Sequence, residues 1–325
     1  MFPEQDVDQG DPFLFEAPAG SGGAGFRFYV IVTSPGFPVY GSDRPAEAGS
    51  WVRVGDSFPG VGADPWAWAP CVRYVPELDR PWVMLYSLAA GAGDPQGHQF
   101  HKIRRADSVL PGGPYRDSGE VLTADVPFAI DPDVTERADG SLFLSCAADY
   151  TDAVPYGTGL FEAPISADLR ELLEPLRPMA RATAEWQVYL PERSLPWLTI
   201  DGVDWAGGGT VAWHTMEGPA CLVSPDGRDF ALYSGGNFAD LYAIGLLARD
   251  DSGKWADLSV DYADCLLSQR PADHLWGPGH CSVAGGFVAY HYREEPGLPR
   301  QFAIATMTWD PATGRPAIVE TPLGE

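Results

Sequence analysis

Five short β-forming runs recur along the chain, and this repeat limits the fold more than any other feature. They are Phe28–Ser34 (FYVIVTS), Trp82–Ser87 (WVMLYS), Ser141–Cys146 (SLFLSC), Asp229–Ser234 (DFALYS) and Gly286–His291 (GFVAYH). Each is rich in aromatic, β-branched or aliphatic residues and ends on or beside a small polar residue or a histidine. With Ser34, Ser87, Ser145, Ser234 and His291 as markers, the spacings are 53, 58, 89 and 57 residues.

A second run follows each first one: Val39–Arg44, His101–Asp107, Leu160–Asp168, Tyr242–Asp250 and Phe302–Asp310. A polar turn and a further short strand, such as Trp51–Val54, come next. Strand, strand, turn, strand, five times over, predicts an all-β fold, a five-bladed β-propeller. A β-sandwich would need the same spacing by coincidence. The expected blades lie near 11–63, 64–125, 126–209, 210–273 and 274–325, in a single domain spanning 1–325. The long third interval implies an insertion around 170–209. Within it, Leu169, Leu172, Leu173 and Leu176 have helical spacing, but Pro175 limits any helix to about two turns.

Composition agrees with a turn-rich globular protein. There are 37 Gly and 31 Pro, which leaves little room for long helices, and 45% hydrophobic residues, enough for a real core. The net charge of -24 repels phosphate backbones and anionic membrane surfaces, so neither nucleic acid nor membrane is an expected partner. Cys71, Cys146, Cys221, Cys265 and Cys281 are scattered and odd in number, which is neither a disulfide framework nor a zinc motif. The N-terminal residues lack a basic segment followed by an apolar one, so a cytoplasmic location is expected.

A propeller points the inner strand of every blade at the central axis. The residues just before the marker strands are therefore the ones that meet. Asp11, Asp131 and Glu217 occupy such places in three different repeats, each beside Pro or Gly-Pro in a mostly apolar segment. A carboxylate is costly to bury in such surroundings without a partner or a task.

The ordered set Asp11-Pro, Trp68-Ala-Pro, Ala129-Ile-Asp131-Pro, Glu217-Gly-Pro, Tyr233-Ser-Gly-Gly236 and Gly277-Pro-Gly-His280 resembles glycoside hydrolase family 43. The resemblance covers roughly residues 8–322 and rests on the order and spacing of short motifs. It implies a five-bladed propeller and an arabinofuranosidase, xylosidase or arabinanase activity with inversion. By the same resemblance Asp11 is the general base, Glu217 the general acid, and Asp131 the carboxylate that tunes the acid and holds the substrate. His280 would reach the axis near a bound cation, commonly calcium with water ligands, although calcium prefers oxygen. No organic cofactor is expected. His291 and Arg300 fall at family-like positions, Arg300 as a bidentate contact to substrate or carboxylate.

Sugar rings stack on flat apolar faces, which makes Trp66, Trp68, Phe128 and Trp213 candidates for binding substrate. Where relatives usually have an acidic residue after Trp-Ala-Pro this chain has Cys71, and where they usually have Asn after Gly-Pro-Gly-His it has Cys281. Cys221 follows the acid motif closely. Three cysteines near one site read either as small core residues or as a reshaped pocket. The expected function is an exo-acting inverting glycosidase on arabinofuranosyl- or xylosyl-containing oligosaccharides or small glycosides. A non-hydrolytic carbohydrate-binding propeller and a secondary-metabolite tailoring enzyme are the alternatives.

Overall fold

The computed structural model describes residues 7–21, 25–47, 49–89, 100–194, 199–200, 203–204 and 209–320. Twenty-four strands and a few 3-10 turns make up the described secondary structure, with no α-helix among the described residues. No helix among them is long and apolar enough to cross a membrane.

The first blade is an antiparallel sheet of β1 (Gly10–Glu16), β2 (Phe28–Thr33), β3 (Pro38–Ser42) and β4 (Val52–Asp56). The second repeats it with β5 (Ala67–Tyr74), β6 (Trp82–Ala89), β7 (His101–Ser108) and β8 (Arg116–Val121). The third has β9 (Ala129–Glu136), β10 (Leu142–Tyr150), β11 (Tyr156–Pro164) and a short β12 (Arg177–Ala180). The inserted segment adds β13 (Val188–Ser194), β14 (Thr199–Ile200) and β15 (Val203–Asp204). The fourth blade contains β16 (Thr210–Val223), β17 (Asp229–Gly236), β18 (Tyr242–Arg249), β19 (Trp255–Asp257) and β20 (Leu267–Ser268). The fifth contains β21 (Trp276–Ala284), β22 (Phe287–Arg293), β23 (Gln301–Trp309) and β24 (Pro316–Glu320). This is a five-bladed propeller, as the repeat predicts.

The first half of β16 pairs with β13 and, in parallel, with β11; its second half pairs with β17. That shared strand fuses the third and fourth blades into one ten-stranded sheet. The inner strands β1, β5, β9, β16 and β21 contact one another in turn, and β21 meets β1. Among the described residues no strand is shared between the first and last blades. Their seam is held by Ser282, whose hydroxyl donates to Pro12 O and accepts from Leu14 N, each at 2.7 Å. An apolar cluster of Leu14, Phe28, Val30, Tyr40, Trp51, Ala289 and Phe302 packs behind it.

The Leu169–Leu176 segment forms no helix. The Ser166 hydroxyl bonds Asp168 and accepts from the N–H groups of Arg170 and Glu171, and Ile165 bridges to Leu172. Leu169 adopts a left-handed φ of 57°. A serine hydroxyl that captures nearby amides offers the backbone an alternative to helix, and prolines at 175 and 178 remove further helical bonds.

Every inner strand carries the same irregularity. A register shift falls after Gly10, Trp68, Glu217 and Gly279, and in the third blade beside Ile130. The next residue has a left-handed backbone in each case: Asp11 (φ 47°), Ala69 (49°), Asp131 (59°), Gly218 (55°) and His280 (45°). Four of the five are followed by proline, which needs no ladder partner at a bulge. A non-glycine residue in this region is strained, and such bulges re-aim side chains. Here they place Asp11, Asp131 and His280 around the axis.

Candidate active site

Asp11, Asp131, Glu217, His280, His291, Arg300 and Trp68 line one pocket of about 230 Å³, together with Thr33, Ile130, Phe238 and Tyr242. The pocket sits where the five bulges meet. The three acids therefore converge from β1, β9 and β16.

A ring of hydrogen bonds ties four of the five bulges to the strand behind the bulge of the preceding blade. The N–H of Ala69 donates to Thr33 Oγ1 at 2.7 Å, that of Asp131 to Ser87 Oγ at 3.0 Å, and that of His280 to Ser234 Oγ at 2.6 Å. The N–H of Asp11 closes the ring on His291 Nδ1 at 3.1 Å. Accepting that bond places the His291 proton on Nε2. His291 Nε2 is buried without a partner among the described residues. Burial pushes this imidazole down to about 4, so it is neutral at neutral pH.

Asp11 is held as a carboxylate. Its Oδ1 accepts from Arg300 at 3.0 Å and faces His280 Nδ1 at 3.3 Å and His291 Nδ1 at 3.5 Å. Burial pushes the carboxyl up, but His280 and Arg300 pull it down and it is held well below the usual range. His280 is itself lowered by burial, so Arg300 carries the lasting positive charge. Asp8 clamps that guanidinium, accepting from Nη2 at 2.6 Å, from Nε and from the Arg300 backbone N–H at 2.7 Å. Gly10 makes the approach possible, since a Cβ there would lie 2.0 Å from the guanidinium carbon.

Glu217 has the opposite environment. Burial pushes its carboxyl up to about 7, Asp11 adds to the rise, and a hydrogen bond from Tyr242 opposes it. The Tyr242 hydroxyl donates to Glu217 Oε1 at 2.7 Å. A Cβ on Gly279 would lie 2.0 Å from the Tyr242 ring, so glycine is required for that ring to enter. Asp131 is also raised, by burial first and then by Glu217 and Asp11. Its Oδ2 accepts the Gly218 N–H at 3.0 Å and lies 4.0 Å from His280 Nδ1. Neighbouring carboxyls in one buried site cannot all ionise. The pocket thus pairs an ionised carboxylate with a proton-holding one.

The aromatic candidates divide. Trp68 lines the pocket and stacks on His101 at 3.9 Å; Trp66 packs against it at 5.8 Å and is 41% exposed. Phe128 lies behind, edge-on to His101 at 6.1 Å, and is not in the pocket wall. Trp213 is a correction: it is 1% exposed, bonds Thr158 Oγ1 and lies under Arg193, away from the pocket. It belongs to the half of β16 that pairs with β13, where its side chain fills the fused sheet.

Sequence reasoning passed over Tyr242, Phe238 and Asp8. Tyr242 heads the second run of the fourth repeat, which was a usable signal. Phe238 closes the pocket from the β17–β18 turn, its ring 6.5 Å from Tyr189 of the insertion. The insertion thereby reaches the pocket rim.

His280, expected beside a calcium with water ligands, lines the axial pocket. Calcium takes about six to eight oxygens. Among the described residues no group of three or more His, Cys, Asp or Glu is arranged to hold a metal. His280 Nδ1 faces the Asp11 and Asp131 carboxylates. The cysteines are buried or nearly so, and burial raises the thiols of Cys71, Cys221 and Cys281, the last to about 12. A thiol held protonated is a poor nucleophile and metal ligand.

Fold and site together define a propeller whose axial pocket sets carboxyls of opposite protonation against each other. The family model for glycosyl hydrolases family 43 matches residues 24–313, and the chain belongs to this family. Among solved structures it is similar to a thermostable family-43 glycoside hydrolase, at 23% identity and TM-score 0.71, covering 98% of this chain and 95% of that one. An endo-1,4-beta-xylanase from Bacteroides thetaiotaomicron VPI-5482 matches at 21% identity and TM-score 0.69, over 99% and 97%. An exo-1,5-alpha-L-arabinanase from a bovine ruminal metagenomic library matches at 17% identity and TM-score 0.62, over 99% of each chain. No curated protein matches the chain.

Proposed function

We propose that this glycoside hydrolase inverts the anomeric centre and acts from chain ends, releasing arabinofuranosyl or xylosyl units from short oligosaccharides or small glycosides. Glu217 donates its proton to the leaving oxygen. Asp11 takes a proton from the attacking water on the opposite face of the ring. Asp131 stabilises the acid's proton and contacts the substrate. His291 Nε2–H, which has no partner among the described residues, donates to a sugar hydroxyl or to the water.

One observation carries the reading: in a single pocket, Asp11 is held well below the usual carboxylate range while Glu217 is pushed up to about 7. Acid–base catalysis at one pH requires this split. A binding protein has no use for it. Inversion needs the two carboxyls about 6.5–9.5 Å apart, with a water between base and anomeric carbon. Exo action is supported by size. A pocket of about 230 Å³ lies below the roughly 300–1,000 Å³ that drug-sized ligands occupy, which suits one small ring better than a threaded polymer.

The test is a panel of nitrophenyl α-L-arabinofuranoside, β-D-xyloside and related glycosides, with the product anomer followed by proton NMR. Release of a pentose with inverted configuration is expected. Retained configuration would overturn the mechanism. Binding without turnover of any glycoside would favour a carbohydrate-binding propeller.

A further inference from the structure

The hydrogen-bond ring around the axis has one exception. The residue paired across from each pre-bulge position is Thr33, Ser87, Ala147, Ser234 and His291 in blade order. Four of these accept the bulge N–H of the following blade. Ala147 is fully buried and its methyl can accept nothing. The N–H it would have received belongs to Gly218, next to Glu217, and that N–H goes instead to Asp131 Oδ2 at 3.0 Å.

We propose that Ala147 is a positioning residue: by withholding an acceptor it diverts the Gly218 N–H onto Asp131 and fixes that carboxyl group beside Glu217. The inference rests on Glu217 being the acid. Around Asp131 stand Glu217 from β16, Asp11 from β1, His280 from β21, Tyr242 from β18, Cys146 from β10 and Arg300 next to β23. Among the described residues only the Gly218 N–H makes a hydrogen bond to the Asp131 carboxylate. A hydrogen bond to the charged form favours it. Glu217 accepts its own bond from Tyr242, and burial raises both carboxyls; the Gly218 bond opposes that rise at Asp131, so losing it would draw the proton toward Asp131 and away from Glu217. A hydroxyl at position 147 would recapture the amide, as Ser87 and Ser234 do in their own blades.

The experiment introduces that hydroxyl. Ala147→Ser follows Ser87 and Ser234, and Ala147→Thr follows Thr33. Ala147→Cys supplies similar bulk with only a weak acceptor. With the hydroxyl variants, turnover of glycosides with poor leaving groups should fall about tenfold, the size of one hydrogen bond to a charged group. Activated aryl glycosides, which do not need the acid's proton, should fall far less. In NMR spectra the Gly218 amide proton should move upfield as a neutral hydroxyl replaces the carboxylate. Ala147→Cys should keep the amide resonance and the leaving-group pattern.

An unmoved Gly218 resonance in folded Ala147→Ser would overturn the proposal. So would an equal loss for both substrate classes, or the same loss in Ala147→Cys. If neither hydroxyl variant folds, position 147 has no room for an acceptor and the proposal also falls. Failure of the underlying acid assignment is separable: Glu217→Ala would then treat both substrate classes alike.

Discussion

Tyr242 donates its hydroxyl to Glu217 Oε1 across 2.7 Å, and this bond opposes the burial that keeps the acid protonated. A donor favours the ionised carboxylate. Removing it with Tyr242→Phe should raise the Glu217 pKa above about 7. The alkaline limb of the kcat/KM profile should move up by about one pH unit, the worth of a hydrogen bond to a charged group. A limb that stays put or moves down would show that Tyr242 does not tune the acid.

Removing the acid and the base should have different signatures. Glu217→Ala should slow glycosides with poor leaving groups by about 10²–10⁴ and spare activated aryl glycosides, because only the former need a proton donor. Asp11→Ala should slow both classes by a similar factor, since each requires the activated water. Steady-state rates on a leaving-group series decide this. Equal losses in both variants would remove the distinction between acid and base.

Trp68 and Trp213 offer a paired comparison. Trp68 lines the pocket with its ring on His101, so Trp68→Ala should raise KM about tenfold with a smaller effect on kcat, consistent with about 0.5–1.5 kcal/mol per aromatic contact. Trp213 is buried in the fused sheet. Trp213→Ala should cost about 3–5 kcal/mol of stability and leave KM unchanged in whatever fraction stays folded. Thermal melts and Michaelis curves on the same samples separate the two.

The repeat was legible because each blade buries its middle strands on both faces: all six residues of β2 are buried, and so are seven of the eight in β6. Such strands read as continuous apolar runs. The acids were legible because proline punctuates the bulges. The marker in the third blade was less so. Ser145 is the polar residue of the visible run, which ends at Cys146, but β10 continues to Tyr150 and the bulge shifts the pairing, so Ala147 holds the equivalent place. An alanine gives no polar signal. Trp213 was misread because β16 serves two blades, which no local pattern announces. Asp8 and Arg300 meet from opposite ends of the chain, and only ring closure brings them together.

The same electrostatics fix how stability responds to pH. Glu217 has a folded pKa near 7 against 4.5 in its unperturbed state. As pH rises through this window the unfolded chain releases the proton first, so Glu217 progressively destabilises the fold. His291 has the reverse effect: its folded pKa near 4 lies below the unperturbed 6.5, so its contribution is complete above about 6.5 and is lost as pH falls toward 4. The two nearly offset each other between pH 7 and 4.5. Glu217→Gln removes one of them. At pH 8 the variant should be more stable than the parent by about 1–3 kcal/mol, a few degrees in Tm, because the cost of a buried charge is gone. Below pH 6.5 its Tm should fall more steeply than the parent's, since the His291 loss is no longer compensated. Melting curves from pH 4 to 8 test both signs. A variant less stable than the parent at pH 8 would mean that Glu217 is not held against its charge.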